Sequence, residues 1–194
     1  MELLIVIGVL GILAAGLLAA IDPFEQLKKA RDTNNRSAAI ELLQSSQRYY
    51  ANHGYLPWYK PGLVAGSYDT SCPDATWANL RPATAVVDFT NPNDIIEVTE
   101  EDKVGLTDVY NCINDTLGDD GEIKGTFFDG LATSLYLASG SKSRAVVCFA
   151  PEAKSNISDA QTQYSIDSLT TPTVVDGDCS DVERPTGVCV QCFQ

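Results

Sequence analysis

The chain has 194 residues with six cysteines, one histidine and a formal net charge of −13. Acids and bases are balanced, five against five, up to His53, which leaves 21 of the 26 acids but only 8 of the 13 bases for the rest of the chain. This acidic balance, with no basic patch, argues against nucleic-acid binding, and the length suits one membrane segment plus one globular domain.

The first predicted element is an apolar helix. Residues 3–21 form an unbroken apolar run, long enough to cross a bilayer, and Glu2 stands at its head. The flank is acidic and the run is long, so neither a cleaved signal peptide nor an ordinary anchor accounts for the glutamate. Within the run, Gly8, Gly11 and Gly16 favour close approach of neighbouring helices.

The chain next shows the pattern of a new helix start. Asp22 is suited to be an N-cap, Pro23 fits the first helical position, and Glu25 stands where a capping box needs an acid. A helix is predicted to run to about Asn52, before the stop at Gly54.

This second helix is predicted to be amphipathic. Pairs Glu25/Lys29 and Asp32/Arg36 have the spacing at which opposite charges meet. The apolar positions near one face are expected to pack on the rest of the chain. They are Phe24, Leu27, Ala38, Leu42 and Tyr49.

Beyond residue 54 the sequence changes to short segments separated by turn residues. Residues 55–100 are predicted to be rich in loops, with one apolar piece at 85–87, and a short helix is expected within 98–113. Strands are predicted at 134–138, 145–149, 164–166 and 172–175, the first two forming a hairpin. The sequence therefore predicts an α+β fold with a small antiparallel sheet.

The six cysteines all lie in this acidic head. An even number, with a single histidine and no paired Cys-x-x-Cys elements, predicts three disulfides rather than a zinc site, although about 15 pairings are open. Cys189 and Cys192 have redox-pair spacing, but their place near the chain end favours structural bonds. The disulfide candidates are Cys72, Cys112, Cys148, Cys179, Cys189 and Cys192.

Two acidic clusters raise the question of a metal. One contains Asp115, Asp119, Asp120 and Glu122, and the other, Asp176, Asp178 and Asp181, follows near the end. Calcium would suit such oxygen ligands, but neither spacing is that of an EF-hand, so solvated loops are favoured and no cofactor is expected. No catalytic motif is present, and the sequence predicts no enzyme activity.

Residues 2–58 resemble the N-terminal region of type IV pilins and of the pseudopilins of type II secretion. The resemblance rests on the glutamate-headed run and on the following helix, AAIDPFEQLKKARDTNNRSAAIELLQSSQRYYANHGYLP. That family removes a leader ending in Gly and methylates the new N-terminus. The leader and the first mature residues are missing here, so Met1 is expected to be internal to a prepilin.

The resemblance implies a structural subunit of an extracellular pilus filament with the pilin fold. It divides the chain into a membrane or filament-core half-helix (1–22), an amphipathic half-helix (23–53) and a head (54–194). Glu2 would neutralise a neighbour's N-terminal amine, a buried pair that fixes register. Pro23, with Gly11 and Gly16, would mark where the helix loses hydrogen bonds on packing into the fibre.

The same resemblance implies several partners. Further copies of the chain form the helical homopolymer, a prepilin peptidase cuts the precursor, and an assembly ATPase and a platform protein drive extraction from the bacterial inner membrane to the cell surface. In many pilins a cysteine attaches the C-terminal region to the sheet, a role open here to Cys179, Cys189 or Cys192.

Three alternatives stay open. A pseudopilin of a secretion system would share the N-terminal features, and a calcium requirement would favour it. A minor pilin acting as a tip adhesin would be favoured by an exposed aromatic groove around Trp58 and Trp77. A membrane-anchored enzyme would need a pocket with converging polar groups, for which the sequence has no pattern.

Overall fold

The computed structural model of the chain describes residues 2–20, 22–77, 80, 95–141, 143–166, 174–175, 179 and 189–194. These residues form an α+β fold, with a long bent N-terminal helix, an antiparallel sheet and disulfide-linked loops. The predicted α+β class is confirmed. The apolar piece at 85–87 and the cluster of Asp176, Asp178 and Asp181 lie outside the described residues.

The N-terminal helix has two parts, α1 (Glu2–Ala20) and α2 (Pro23–His53). Asp22 separates them with an extended backbone, φ −78° and ψ 99°, and its carboxylate accepts hydrogen bonds from the N–H groups of Phe24 and Glu25. The predicted break and N-cap are therefore confirmed. The capping-box role of Glu25 is wrong, because its side chain turns to the head instead.

Helix α2 ends as its sequence predicts. Gly54 adopts the left-handed conformation, φ +79°, and its N–H donates to the carbonyl of Tyr50 at 2.7 Å. A glycine tolerates this conformation because it has no Cβ. The chain continues through a 3-10 turn (Pro57–Tyr59) and a single-turn helix, α3 (Asp74–Trp77).

In the described part of the chain the sheet has six strands in the order β1-β2-β3-β6-β4-β5, and neighbouring strands run antiparallel. The predicted hairpin is β2–β3, and the two later predicted strands are β4 and β5. Two strands were not predicted, β1 and β6, and β6 lies in the interior of the sheet. The strands are β1 (Ile95–Val98), β2 (Leu135–Ser141), β3 (Arg144–Phe149), β4 (Thr162–Ile166), β5 (Val174–Val175) and β6 (Cys189–Phe193).

The helix predicted within 98–113 is two helices, α4 (Glu100–Gly105) and α5 (Asp108–Ile113). Leu106 ends α4 with φ +47°, and the hydroxyl of Thr107 accepts a hydrogen bond from the N–H of Tyr110 to begin α5. A π-helical turn (Asn114–Gly118), a 3-10 turn (Phe128–Gly130) and α6 (Lys154–Ile157) complete the described elements.

The core lies between α2 and the sheet. Ala39, Leu42 and Tyr49 are buried among strand residues such as Leu137 and Val147. In contrast, the start of the predicted apolar face is exposed. The exposed fractions of Phe24 and Leu27 are 75% and 59%, so the prediction that these two side chains pack on the head is wrong.

Candidate assembly surface

Helix α1 presents an apolar surface that is exposed in the described part of the chain. Ten of its large apolar side chains are between 51% and 76% exposed. A Cβ built at Gly8, Gly11 or Gly16 would meet no described atom within 4 Å, so the small-residue positions are also open. The exposed side chains are Leu3, Leu4, Ile5, Val6, Ile7, Val9, Leu10, Ile12, Leu13 and Leu17.

Glu2 is the first residue of α1. The placement of its side chain lies outside the described part of the chain, so its pairing with a neighbour's amine stays a prediction. Among the residues that the structure describes, no helix combines the length and the hydropathy needed to cross a membrane.

The first turns of α2 have two different faces. On one, Phe24 and Leu27 extend the exposed apolar surface past the break at Asp22. On the other, the Glu25 carboxylate accepts a hydrogen bond from the N–H of Lys154 at 2.7 Å. The helix is therefore fixed to the head by polar contacts on one side while its apolar side stays free.

A second contact of this kind is centred on Asp32, which is buried. Its carboxylate accepts hydrogen bonds from the N–H groups of Glu152 and Ala153, at 2.8 and 3.0 Å, and from the Asn156 amide at 2.7 Å. Arg31 adds an ion pair with Glu152 at 3.3 Å. We call these contacts, with the Glu25–Lys154 hydrogen bond, the Asp32 clamp.

The ion pairs predicted within α2 are wrong, because both carboxylates take part in the Asp32 clamp instead. Glu25 and Asp32 bind the head rather than Lys29 and Arg36, because backbone N–H donors of the head lie within reach of both carboxylates. The guanidinium of Arg36 instead lies 5.6 Å from the ring centroid of Phe193, a cation–π distance. The spacing rule described the helix alone and could not include these distant donors.

The far end of α2 is fixed by residues of the first acidic cluster, for which solvated loops were favoured over calcium binding. Glu122 pairs with Arg48 at 2.5 Å and accepts from the Asn52 amide, and Asp120 lies 3.4 Å from His53. The Asp115 carboxylate accepts a hydrogen bond from the adjacent Asn114 amide, and Asp119 is exposed. Within the described ranges, no three or more acidic, histidine or cysteine side chains are grouped to hold a metal, so calcium gains no support.

The cysteines form three disulfides, as predicted: Cys72–Cys112, Cys148–Cys192 and Cys179–Cys189. Cys148 and Cys192 are direct partners across β3 and β6, so this bond attaches the C-terminal strand to the sheet. Cys189 and Cys192 bond to different cysteines because positions three apart on a strand point to opposite faces. They do not form a redox pair with each other.

The two tryptophans belong to the core. Both are 0% exposed, their rings stack with centroids 5.7 Å apart, and the Trp77 indole N–H donates to the Asp108 carbonyl at 3.2 Å. The exposed aromatic groove that would have favoured a tip adhesin is therefore not formed by Trp58 and Trp77.

Comparison of the chain with protein-family models, with curated proteins and with solved protein structures finds no match.

Proposed function

We propose that the chain is a structural subunit of an extracellular filament of the type IV pilus kind, assembled helically through α1. The observation that carries the proposal is the exposed apolar surface of α1, which the chain's own head leaves uncovered. Burying such a surface contributes about 25 cal/mol per Å² of apolar area removed from water. Parallel copies of α1 would bury it against one another and form the filament core.

The attachment of α2 supports the same proposal. The Asp32 clamp and the Arg48–Glu122 pair fix α2 to the head near both of its ends. A filament subunit needs this arrangement, since the projecting α1 must enter a core of neighbouring helices while the head stays outside. The long helix on an antiparallel sheet, with a disulfide-attached C-terminal strand, is also consistent with a pilin-like fold.

In this proposal Glu2 is the assembly key. Its carboxylate would neutralise the N-terminal amine of an adjacent subunit, and a subunit out of register would leave a buried charge uncompensated. Before assembly, the inner membrane would hold α1, and a prepilin peptidase, an assembly ATPase and a platform protein would process and extract the subunit.

Electron microscopy of filaments sheared from cells, with the subunit identified by mass spectrometry, tests the proposal. We expect long fibres that contain this chain with a methylated N-terminal amine. Glu2→Ala should abolish the fibres while Asp119→Ala, an exposed acid of the head, should leave them intact. Membrane-bound chain with no fibre containing it would overturn the proposal.

A further inference from the structure

The exposed face at the start of α2 is a second unpartnered surface. Phe24, Leu27 and Lys28 are spaced so that they lie on one side of the helix, and all three are exposed. In the same turn, Glu25 is held against the head by its hydrogen bond from the N–H of Lys154. Among the described residues, Lys28 makes no ion pair with its own chain. We call these three residues the helix-start face.

A groove of about 500 Å³ lies elsewhere on the head, between β1, α4 and residues 131–134. Glu97, Glu100 and Glu101 line it and are exposed, and within the described chain none of the three has an ion-pair partner. On α4 itself, Val104 is 84% exposed. It follows Glu100 by four residues and Glu101 by three, so it lies on the same side of the helix as these acids. The groove thus presents uncompensated negative charge, and the exposed apolar side chain of Val104 lies beside it on α4.

We propose that the helix-start face of one subunit docks on this acidic groove of a second copy in the filament, an inference that rests on the proposed function. The surfaces are complementary in charge, since Lys28 meets three glutamates, and the apolar side chains beside each charge can pack together. Because the two surfaces are different parts of the chain, the contact is heterologous. Repeated, it extends an open helical assembly rather than closing a dimer.

The fold also predicts how far two contacting subunits are shifted relative to each other along the filament. Thr133 lines the groove and accepts a hydrogen bond from the Asn35 amide at 2.7 Å, so the groove lies near the level of Asn35 on α2. Lys28 is seven residues earlier, which corresponds to about 10 Å of helix rise. With α2 along the filament axis, contacting neighbours should therefore differ in height by about 10 Å.

A charge-reversal series in full-length protein tests the contact. Lys28→Glu should lower the yield of sheared filaments by at least about tenfold, because like charges then face each other across the interface. The groove variant E97K/E101K should lower it similarly, and the combined variant should recover the wild-type yield. Lys124→Glu is the matched control, since Lys124 is an exposed lysine that lies at neither surface.

Zero-length carbodiimide cross-linking of wild-type filaments supplies an independent measurement. Mass spectrometry should find an amide between Lys28 of one subunit and Glu97, Glu100 or Glu101 of another. Normal filament yield of K28E, together with no such cross-link, would overturn the docking proposal while leaving the filament itself intact. If wild-type fibres contain no copy of the chain, the proposed function fails first, so the two failures are distinguishable.

Discussion

The buried carboxylate of Asp32 accepts a hydrogen bond from the N–H of Ala153, a residue 121 positions later in the chain. Ala153 precedes α6 and has no side-chain oxygen with which to cap it. Asp32 also accepts hydrogen bonds from the N–H of Glu152 and from the side-chain amide of Asn156, while the N–H of Lys154, the first residue of α6, donates to Glu25. Two carboxylates of α2 thus bind the chain at the start of α6 and fix their own helix in place.

Replacing this carboxylate should destabilise the head. Asp32→Ala leaves three buried or half-buried donors without their acceptor, and each such loss costs roughly 1–3 kcal/mol. We expect the free energy of unfolding to fall by about 3 kcal/mol, measured by urea denaturation of purified protein. Asp119→Ala, the exposed control, should change it by less than about 0.5 kcal/mol. A loss below about 1 kcal/mol for Asp32→Ala would show that the clamp contributes little.

The disulfides should differ in their contribution to stability. The Cys148–Cys192 bond joins residues 44 apart and the Cys179–Cys189 bond residues only 10 apart. Because a longer closed loop restricts the unfolded chain more, chain entropy predicts about 4 kcal/mol for the first and about 3 kcal/mol for the second. Urea unfolding of C148S/C192S and C179S/C189S compares them. Equal losses of unfolding free energy in the two variants, or a larger loss in C179S/C189S, would contradict this prediction.

The parts of the fold that the sequence predicted correctly are determined by neighbouring residues. Asp22 and Pro23 begin α2 and Gly54 ends it, since each acts on backbone groups within a few positions. The β2–β3 hairpin is local in the same way, as its two apolar strands are separated only by small and polar residues. Capping and turn residues that act over only a few positions can be recognised in the sequence without the tertiary structure.

The parts that were missed depend on distant residues. Strand β6 has cysteines and a glutamine where a strand pattern needs apolar or β-branched residues, and its place is determined by pairing with β3 and β4. Asp32 and Asn35 are buried on α2 because the head supplies their partners. A helical pattern places Asn35 on the same side as Leu42 but carries no sign of the polar partners that the head supplies, so neither these contacts nor the exposure of Phe24 and Leu27 could be predicted.

Acid should weaken the loop that follows α2. The N–H of Ser71 donates to the Asp69 carboxylate at 2.9 Å, and this bond, with Lys60 nearby, holds the pKa of Asp69 below its ordinary value. A lowered folded-state pKa contributes stability above the unfolded pKa and loses it as the pH falls through the folded one. Asp69→Asn lacks the charge, so wild type should exceed it in unfolding free energy at pH 7. The gap should narrow below about pH 4. Urea denaturation at pH 7, 5 and 3 measures the difference in unfolding free energy between wild type and Asp69→Asn. A difference that does not change with pH would exclude a stabilising role for the Asp69 charge.

Leu27 and Leu42 provide a matched pair on one helix, because the first is 59% exposed and the second is fully buried. Leu42→Ala removes core side-chain volume and should lower the unfolding free energy by about 2–5 kcal/mol, whereas Leu27→Ala should change it by less than about 0.5 kcal/mol. Filament assembly should depend on Leu27 for a different reason, because in the proposed filament Leu27 belongs to the helix-start face. Leu27→Ala should therefore reduce filament yield without reducing monomer stability. Urea denaturation and quantitative shearing of the same variant separate the two effects, and a Leu27→Ala protein that is as destabilised as Leu42→Ala would place Leu27 in the core after all.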